Sequence, residues 1–531
     1  MSEGKKTTAI EKRTENQAEL LPFSWSGLKA KLPLTFPAPS DLPASPKRKY
    51  RSEYRYLGLD SLEAAIWADG SAFEFQLHLI DYRSLERLLA QHIYRPSAKG
   101  QTPFDPVSMY LLSLFRRDRG LSRLEVLRQL RHPKEGRELR RWLGFKDSYP
   151  SEAGLRYFES HISPELQWEI NALQIDMLYQ AGLLPTTVEA EKKATLSFDG
   201  MLHHARSRMR CSSPQESCYQ PAPRPCPARE KKKQGCDCTS KACALICQHA
   251  TPLDPAARLV VYTGHNKRAK LSPNTPQDTR LKSSRLRFTY GYYSYAAQIL
   301  DNELSTYWIL SAAFGTATCG DEQLFPDYFT RLRARFPWLK IEAVINDAAL
   351  CEQHCLNLIW EAGALRMVDI CAHQADEDPQ IQLQRGYDQN GHPICPFGYP
   401  LHSNGHDYHR RLTKWRCSKH CQSDKDHTPP DCDYLQPQYK HGYTITVGRT
   451  HADGTVRLAR EIPYSSPAWK ARYNHRNSAE SRNSVLEHLH LKHLPVHGLQ
   501  AGHVAVMQGD FIANLNTLVR LIRQTAALGL P

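Results

Sequence analysis

The sequence predicts an α/β fold, one mixed sheet flanked by helices, preceded by an all-helical region and interrupted by two cysteine-rich insertions. Three observations predict it. Apolar positions recur at helical spacing between clear start and stop signals from about residue 60 to 184; the period shortens to that of strands at about 191; strands then alternate with helices to about residue 371. With 531 residues the chain is long enough for a large core and two or three domains. Lys and Arg total 69 against 55 Asp and Glu, a formal +14 that favours a polyanionic partner. No run of 18 apolar residues occurs, so no membrane span is expected. The start, MSEGKKTTAIEKRTENQ, lacks the apolar stretch of a secretory signal, so the 15 cysteines are expected to be reduced and any that cluster to bind metal.

Residues 1–58 turn from polar to Pro-rich and basic without periodicity, and are expected to form a mobile tail. Tyr50 and Tyr54, interleaved with the basic residues of 47–56, would suit a phosphate backbone as well as a solvated linker. Residues 59–190 read as a helical module. Asp105 and Pro106 open one helix and Gly120 closes it; Ser122 with Glu125 forms a capping box for the next; Ser151 starts a third, and Ser163 with Pro164 a longer one. Residues 115–146 carry eleven basic and four acidic side chains, half the net charge of the protein. That density suits a module gripping duplex DNA by its phosphates, with Arg116, Arg117, Arg123 and Arg128 as contacts; a pair of helices with solvated arginines would look the same.

Strand patterns follow at ATLSFDGML, with Asp199 expected at the strand end before Gly200, at LVVYTG (259–264) and at TYWILSAAF (306–314). A helix over 321–335 leads to a strand, IEAVIND, ending at Asp347; a helix (CEQHCLNLIWEAGA) and a short strand (LRMVDI) complete the set. Ligand sites gather at strand ends in such sheets. Read as one helix, residues 471–494 place Tyr473, Arg476, Glu480 and Glu487 within about 60°, opposite Val485, Leu486 and Leu489. Asp199, Asp347 and Glu480 thus become candidates for one cleft, and three hard oxygen donors suit Mg²⁺ or Mn²⁺. Singly, Asp199 reads as a turn residue and Asp347 as a helix cap.

Asp199 in SFDGM, Asp347 in VINDAAL and the spacing Tyr473-x2-Arg476-x3-Glu480 resemble the Asp-Asp-Glu transposases of bacterial insertion sequences, within them the group with a Tyr-Arg-Glu-Lys signature. The resemblance spans roughly residues 80–530, including FDPVSMYLLSLFRRDRGLSRLEVLRQL and YPSEAGLRYFESHI before the catalytic part. It implies an RNase H-like sheet, an N-terminal DNA-binding module, and two Mg²⁺ (or Mn²⁺) ions held by Asp199, Asp347 and Glu480, with Tyr473 and Arg476 supporting the site and contacting DNA. It further implies double-stranded DNA partners (terminal inverted repeats and target), a homodimer bringing two ends together, and a cytoplasmic, nucleoid-associated location. The reaction implied is cleavage by water followed by attack of the freed 3′-OH on target DNA. In one place the chain departs from the pattern: the family Lys that follows the Glu after six intervening residues is here Glu487, on the site face, with Lys492 and His488 expected to point elsewhere. A decayed DNA-binding protein, or a metal-dependent nuclease that does not join ends, are the rival readings.

These signals divide the chain into a tail (1–58), a helical DNA-binding module (59–190), a first catalytic part (191–371) with a Cys-rich insertion at 207–256, a second insertion (372–462) and closing helices (463–531). The first insertion holds Cys211, Cys218, Cys226, Cys236, Cys238, Cys243, Cys247 and His249, next to the basic run REKKK. The second holds Cys395, Cys417, Cys421 and Cys432, a candidate structural zinc set, since thiolates at zinc staple a segment too small for its own core. The last segment, with Phe511, Leu515, Leu518 and Ile522 three and four apart, reads as a core helix.

Overall fold

The capping signals form as read. After α1 (Trp25–Lys29), β1 (Leu34–Thr35), α2 (Ala72–Leu79), β2 (Ile80–Asp81) and α3 (Glu86–Ile93) comes α4 (Pro106–Asp118). Asp105 Oδ1 accepts from the N–H groups of Val107 (2.8 Å) and Ser108 (3.4 Å) at its start. α5 (Arg123–Arg131) opens on the full capping box, Ser122 Oγ accepting from Glu125 N and Glu125 accepting from Ser122 N. α6 (Glu135–Leu143), α7 (Glu152–Ser160) capped by Ser151, and α8 (Pro164–Gln180) capped by Ser163 complete the helical half. The computed structural model describes residues 25–38, 49–59, 72–94, 101–146, 148–185, 193–206, 209–211, 250–252, 254–264, 285–301, 306–369, 383, 386–388, 392–407, 412–417, 419, 421, 432–440, 442–447, 461–462, 467–478 and 480–529.

The sheet half runs through β3 (Ala194–His204), β4 (Met209–Cys211), β5 (Ala250–Pro252), β6 (Arg258–Gly264), β7 (Arg285–Asp301), β8 (Thr306–Thr316), α9 (Asp321–Arg335), β9 (Ile341–Asn346), α10 (Gln353–Glu361) and β10 (Leu365–Val368). β11 (His402–Asp407), β12 (Leu412–Arg416) and β13 (Thr444–Val447) form a separate antiparallel sheet, and α11 (Pro467–Tyr473), α12 (Glu480–His488) and α13 (Leu499–Gly529) close the chain. In the main sheet the order is β10-β9-β3-β7-β6, with β8 also on β7. β3, β7 and β8 are antiparallel neighbours, whereas β9 and β10 run parallel to β3, a mixed sheet reached through the crossover helices α9 and α10. Pro326 interrupts α9 near its start without ending it. The Glu322 carbonyl that loses its helical donor accepts instead from His354 Nε2 at 3.1 Å.

α13 is the pillar on which both halves rest. One apolar cluster extends from Trp25 to Ala526 and takes in helices and sheet alike. Buried amides fix the helix in place: Asn171 Nδ2 donates to Met507 O (2.9 Å), Gln174 Nε2 to Phe511 O (3.1 Å), and Asn514 bonds both Ile309 N (2.8 Å) and Ile309 O (2.9 Å) in β8. Each satisfies a polar group that burial would otherwise leave unpaired.

The structure corrects four expectations. The tail is packed wherever it is described: Trp25, Leu28, Leu34, Phe36 and Tyr54 are buried, and β1 pairs in parallel with β2. Leu32, Leu34 and Phe36 are buried in alternation, Phe36 stacking on Phe511, but the alternation is short and set among prolines, so it did not stand out in the sequence. β7, seventeen residues long and central to the sheet, was not expected; from Gly291 to Asp301 every residue but Tyr293 is buried, so both faces are covered and the alternation that marks a half-exposed strand is erased. β3 does not end at Asp199 but runs to His204, because β7 goes on pairing with it through Gly291. Finally, 471–494 is not one helix: α11, a 3₁₀ segment (Asn474–Ser478) and α12 replace it. The first cysteine group and REKKK lie, in their side chains, outside the described residues.

Candidate active site

Asp199 and Asp347 are brought together by strand register. Ser197 of β3 pairs with Ile345 of β9, and both parallel strands reach an Asp two residues later. β9 ends at Asn346, so Asp199 lies just past the point where its neighbour stops. Asp347 Oδ1 accepts from Ala349 N at 2.9 Å, capping the 3₁₀ turn Ala348–Leu350, while Oδ2 lies 3.3 Å from Arg476 Nη2. The cap and the site therefore use different oxygens of one carboxylate.

α12 delivers the third acid. Glu480 begins the helix, and Asn483, one turn on, donates from Nδ2 to Asp199 Oδ2 at 2.7 Å and to Gly200 O at 3.3 Å. Residues three apart share a helix face, so Glu480 stands on the side of α12 turned to Asp199, and its side chain is exposed. The helix is anchored from behind by Arg482, whose Nε and Nη2 clamp Asp510 of α13 at 2.7 and 3.1 Å, both side chains fully buried. α11 packs elsewhere: Trp469 is buried beside Ala343, Ile345 and Met367, with Tyr473 stacked on it at 4.2 Å. Different anchoring surfaces for α11 and α12 explain the 3₁₀ break between them, where Asn474, Asn477 and Ser478 supply weak helix formers.

Arg476 sits among all three acids. Burial pulls its pKa down, but Tyr473, Asp347, Asp199 and Glu480 together hold it above its ordinary value. Burial raises the Asp199 pKa and Asp347 adds to the rise, while Arg476 and the Gly200 N–H oppose it. Burial likewise raises the Tyr473 phenol, with Asp369 and Asp347 adding to it. Among the described residues no three His, Cys, Asp or Glu side chains are drawn tightly enough together to hold a metal ion as placed; the positive charge beside the carboxylates is the guanidinium. The donor set, oxygen from three carboxylates with neither sulfur nor imidazole among them, is nevertheless that of a hard divalent cation.

Sequence reasoning missed three neighbours. Asn483 was legible only as the residue three after Glu480. Tyr293 of β7 crosses Gly200, where an added Cβ would lie 1.7 Å from its hydroxyl, and donates to Asp321 at the start of α9. Burial, with Asp347, Asp199 and Glu322 adding to it, pushes Asp321 up to about 7 against the opposing hydrogen bond from Tyr293. In the sequence Asp321 carries no signal beyond that of an acid in a helix's first turn. Glu487 is also not left as expected: α12 ends at His488, His490 turns with φ 58°, and Lys492 folds back to donate to Glu487.

His203 locks the segment after α12 to the sheet. Its Nδ1 donates to Leu491 O (2.8 Å), so Nε2 accepts from Ser294 Oγ (2.7 Å), and the ring is neutral. Burial takes its pKa from 6.5 down to about 3; the Leu491 carbonyl opposes this, and Arg482 and His204 reinforce it. The unfolded chain therefore binds a proton that the fold rejects, and stability present above the unfolded pKa is lost as pH falls from about 6.5 toward 3. We expect a loss of up to about 1.4 kcal/mol per pH unit in that window from this residue. Urea midpoints at pH 7 and pH 5 should fall further apart in wild type than in His203→Gln; equal differences would refute the assignment.

The arginines expected to grip DNA divide into three kinds. Arg116 Nε and Arg123 Nε hold the two oxygens of Glu159 at 2.8 and 2.6 Å, an internal clamp joining α4, α5 and α7. Arg128 is exposed on α5, and Arg117 is buried.

The four cysteines of the second insertion feel one another electrostatically, but among the described residues no three of them are drawn tightly enough to hold a metal ion as placed. Cys395 opens a turn closed by Gly398 N to Cys395 O (2.9 Å); Cys417 follows β12 and its Sγ accepts from Lys419 N at 3.2 Å. Cys395 and Cys417 share a small apolar cluster with Trp415, and Cys421 is buried nearby. Burial raises the Cys421 thiol, and Cys417, Cys395 and Cys432 each add to the rise.

No protein-family model, curated protein or solved structure matches the chain. No helix among the described residues is long and apolar enough to cross a membrane.

Proposed function

We propose that the protein is a transposase-like enzyme that binds the ends of a mobile DNA element and cleaves and rejoins phosphodiester bonds. The observation that carries this reading is the meeting of Asp199 and Asp347 on adjacent parallel strands under a helix that starts with Glu480 and touches Asp199 through Asn483. The strand order, three antiparallel strands followed by two parallel ones, is compatible with an RNase H-like sheet. Asp199, Asp347 and Glu480 would hold Mg²⁺ or Mn²⁺; bound there, the ions would supply Lewis-acid stabilisation of the attacking and leaving oxygens. Arg476, already among the acids, would meet a scissile phosphate, with Tyr473, stacked on Trp469, beside it. Asn483 keeps the Asp199 carboxylate turned toward α12. In this reading water attacks phosphorus, the bond to the 3′ oxygen breaks, and the freed 3′-OH later attacks target DNA. The helical half would hold duplex DNA, a homodimer would pair two ends, and the protein would act in the cytoplasm on the nucleoid.

The test is incubation of DNA flanking the coding region with the protein and Mg²⁺. Defined 3′-OH ends from wild type and none from Glu480→Gln support the reading. Tight binding without cleavage in either Mg²⁺ or Mn²⁺ favours a decayed DNA-binding protein, the reading that Glu487 suggests; cleavage without joining favours a nuclease.

Structural zinc at Cys395, Cys417, Cys421 and Cys432 is part of the same proposal. The Lys419 N–H to Cys417 sulfur bond is the kind of second contact that supports a thiolate ligand. Purified protein is expected to release about one zinc per chain on thiol modification, and Cys421→Ser to release much less. Equal release from both would remove these four residues from consideration.

A further inference from the structure

A second basic site lies away from the carboxylates, at the junction of the helical half with the segment that follows α12. A cleft of about 750 Å³, within the range of about 300–1,000 Å³ common for ligand sites, is lined by Arg116, Arg117, Arg123, Arg156 and Arg206, with Glu159 as its acid. Glu159 is already engaged by Arg116 and Arg123. Arg156 pairs with Glu152 outside, and Arg206 donates to Pro495 O at 3.0 Å.

Arg117 has no such partner. It is only 6% exposed, its side chain makes no hydrogen bond or ion pair among the described residues, and its Nε is buried without an acceptor. Burial, aided by Arg116 and Arg123 and opposed by Glu159, lowers its pKa to about 9. An unpaired buried guanidinium is costly, and folds rarely retain one without an anion to meet it. The start of α13, whose first turn carries no acid, and the Ser163-capped start of α8 also line the cleft and bring helix N-terminal charge to it. Two contacts join the cleft to the candidate active site: His490, just past α12, packs against Gly120 in the α4–α5 turn, and the chain from there to Pro495 leads straight into the cleft wall.

We propose that this cleft is a phosphate-binding site in which Arg117 takes a phosphate group. The inference rests on the DNA reading above only for the source of that phosphate, which would be a backbone phosphodiester held next to the catalytic helix; a free phosphate compound would use the same chemistry. Arg117 supplies a planar fork suited to two phosphate oxygens.

The experiment uses the full chain with two probes, inorganic phosphate and a labelled mixed-sequence duplex, on wild type, Arg117→Gln and Arg117→Lys. Phosphate is expected to raise the Tm of wild type above that in chloride of equal ionic strength, and to leave Arg117→Gln unmoved. Without phosphate, Arg117→Gln should melt no lower than wild type, because an unpaired buried charge has been removed; its lost response then cannot come from misfolding. Duplex binding should weaken, with the slope of log affinity against log salt falling by about one. If Arg117→Gln does not fold, Arg117→Lys should still bind phosphate about tenfold more weakly, having lost the fork; unchanged affinity would overturn the site. A phosphate response that needs Arg117, in a wild type that does not bind duplex, keeps the site and removes the DNA reading. Duplex binding with an unchanged salt slope and an unchanged phosphate response in Arg117→Gln overturns the site and leaves the DNA reading standing.

Discussion

Asp199→Asn is expected to reduce DNA cleavage in Mg²⁺ by about 10²–10³-fold or more, the scale on which one preorganised electrostatic group acts in a transition state, without loss of stability. The amide is isosteric, and its Oδ1 can still accept from Asn483 Nδ2, now 2.7 Å from the carboxylate. Burial and the neighbouring Asp347 already press the carboxyl toward its neutral form, so removing the charge should leave Tm unchanged or slightly higher. Asp347→Asn should behave alike, because Asn caps a helical turn about as well as Asp and can keep the bond from Ala349 N. Each variant loses a hard anionic donor while the sheet register that positions it is untouched. Single-turnover cleavage paired with thermal unfolding checks both halves. Cleavage within tenfold of wild type in either variant would take that residue out of the active site.

Asp510→Ala is expected to destabilise the protein by about 3–5 kcal/mol, because it strands Arg482 as a buried, uncompensated charge. Both partners of this pair are inaccessible to solvent, and Arg482 has only a weak further contact, Nη1 to Ser294 Oγ at 3.4 Å. Replacing the pair together, Arg482→Met with Asp510→Leu, should recover most of the loss, since well-packed apolar side chains often match a buried ion pair in stability. Function should not recover in parallel. The pair fixes α12 against α13, and Glu480 and Asn483 depend on that seat to reach Asp199. Urea unfolding of the single and double variants measures the coupling; a cost below about 1 kcal/mol for Asp510→Ala would show that the pair does not carry the seat of α12.

Much of the fold was legible because its signals are local. The caps at Asp105, Ser122, Ser151 and Ser163 each lie within three residues of the N–H groups they accept from, and β6, β8, β9 and β10 carry turn residues or charges at their ends. β7 was hidden because a strand buried on both faces, as residues 291–301 are but for Tyr293, has no alternation to read. The break before α12 was hidden because it comes from two anchors on different surfaces, Trp469 on the sheet and Leu486 against α13. Lys492 returns to Glu487 only because the chain turns at His490, which a helical wheel extended to residue 494 cannot represent.

The helix starts, the change from helical to strand period, and the selection of Asp199, Asp347, Arg476 and Glu480 as candidate site residues all came from the order of residues along the chain. Tertiary structure alone decided what each charge meets. Arg116 and Arg123 close on Glu159, Arg117 is left facing a cleft, Arg482 goes to Asp510 rather than to solvent, and Asn483, Tyr293 and Asp321 join the neighbourhood of the acids. The reason is physical: caps and periodicity are settled over a few residues of backbone, whereas the partner of a buried charge is settled by burial between segments as far as 284 residues apart, as with Asn483 and Asp199.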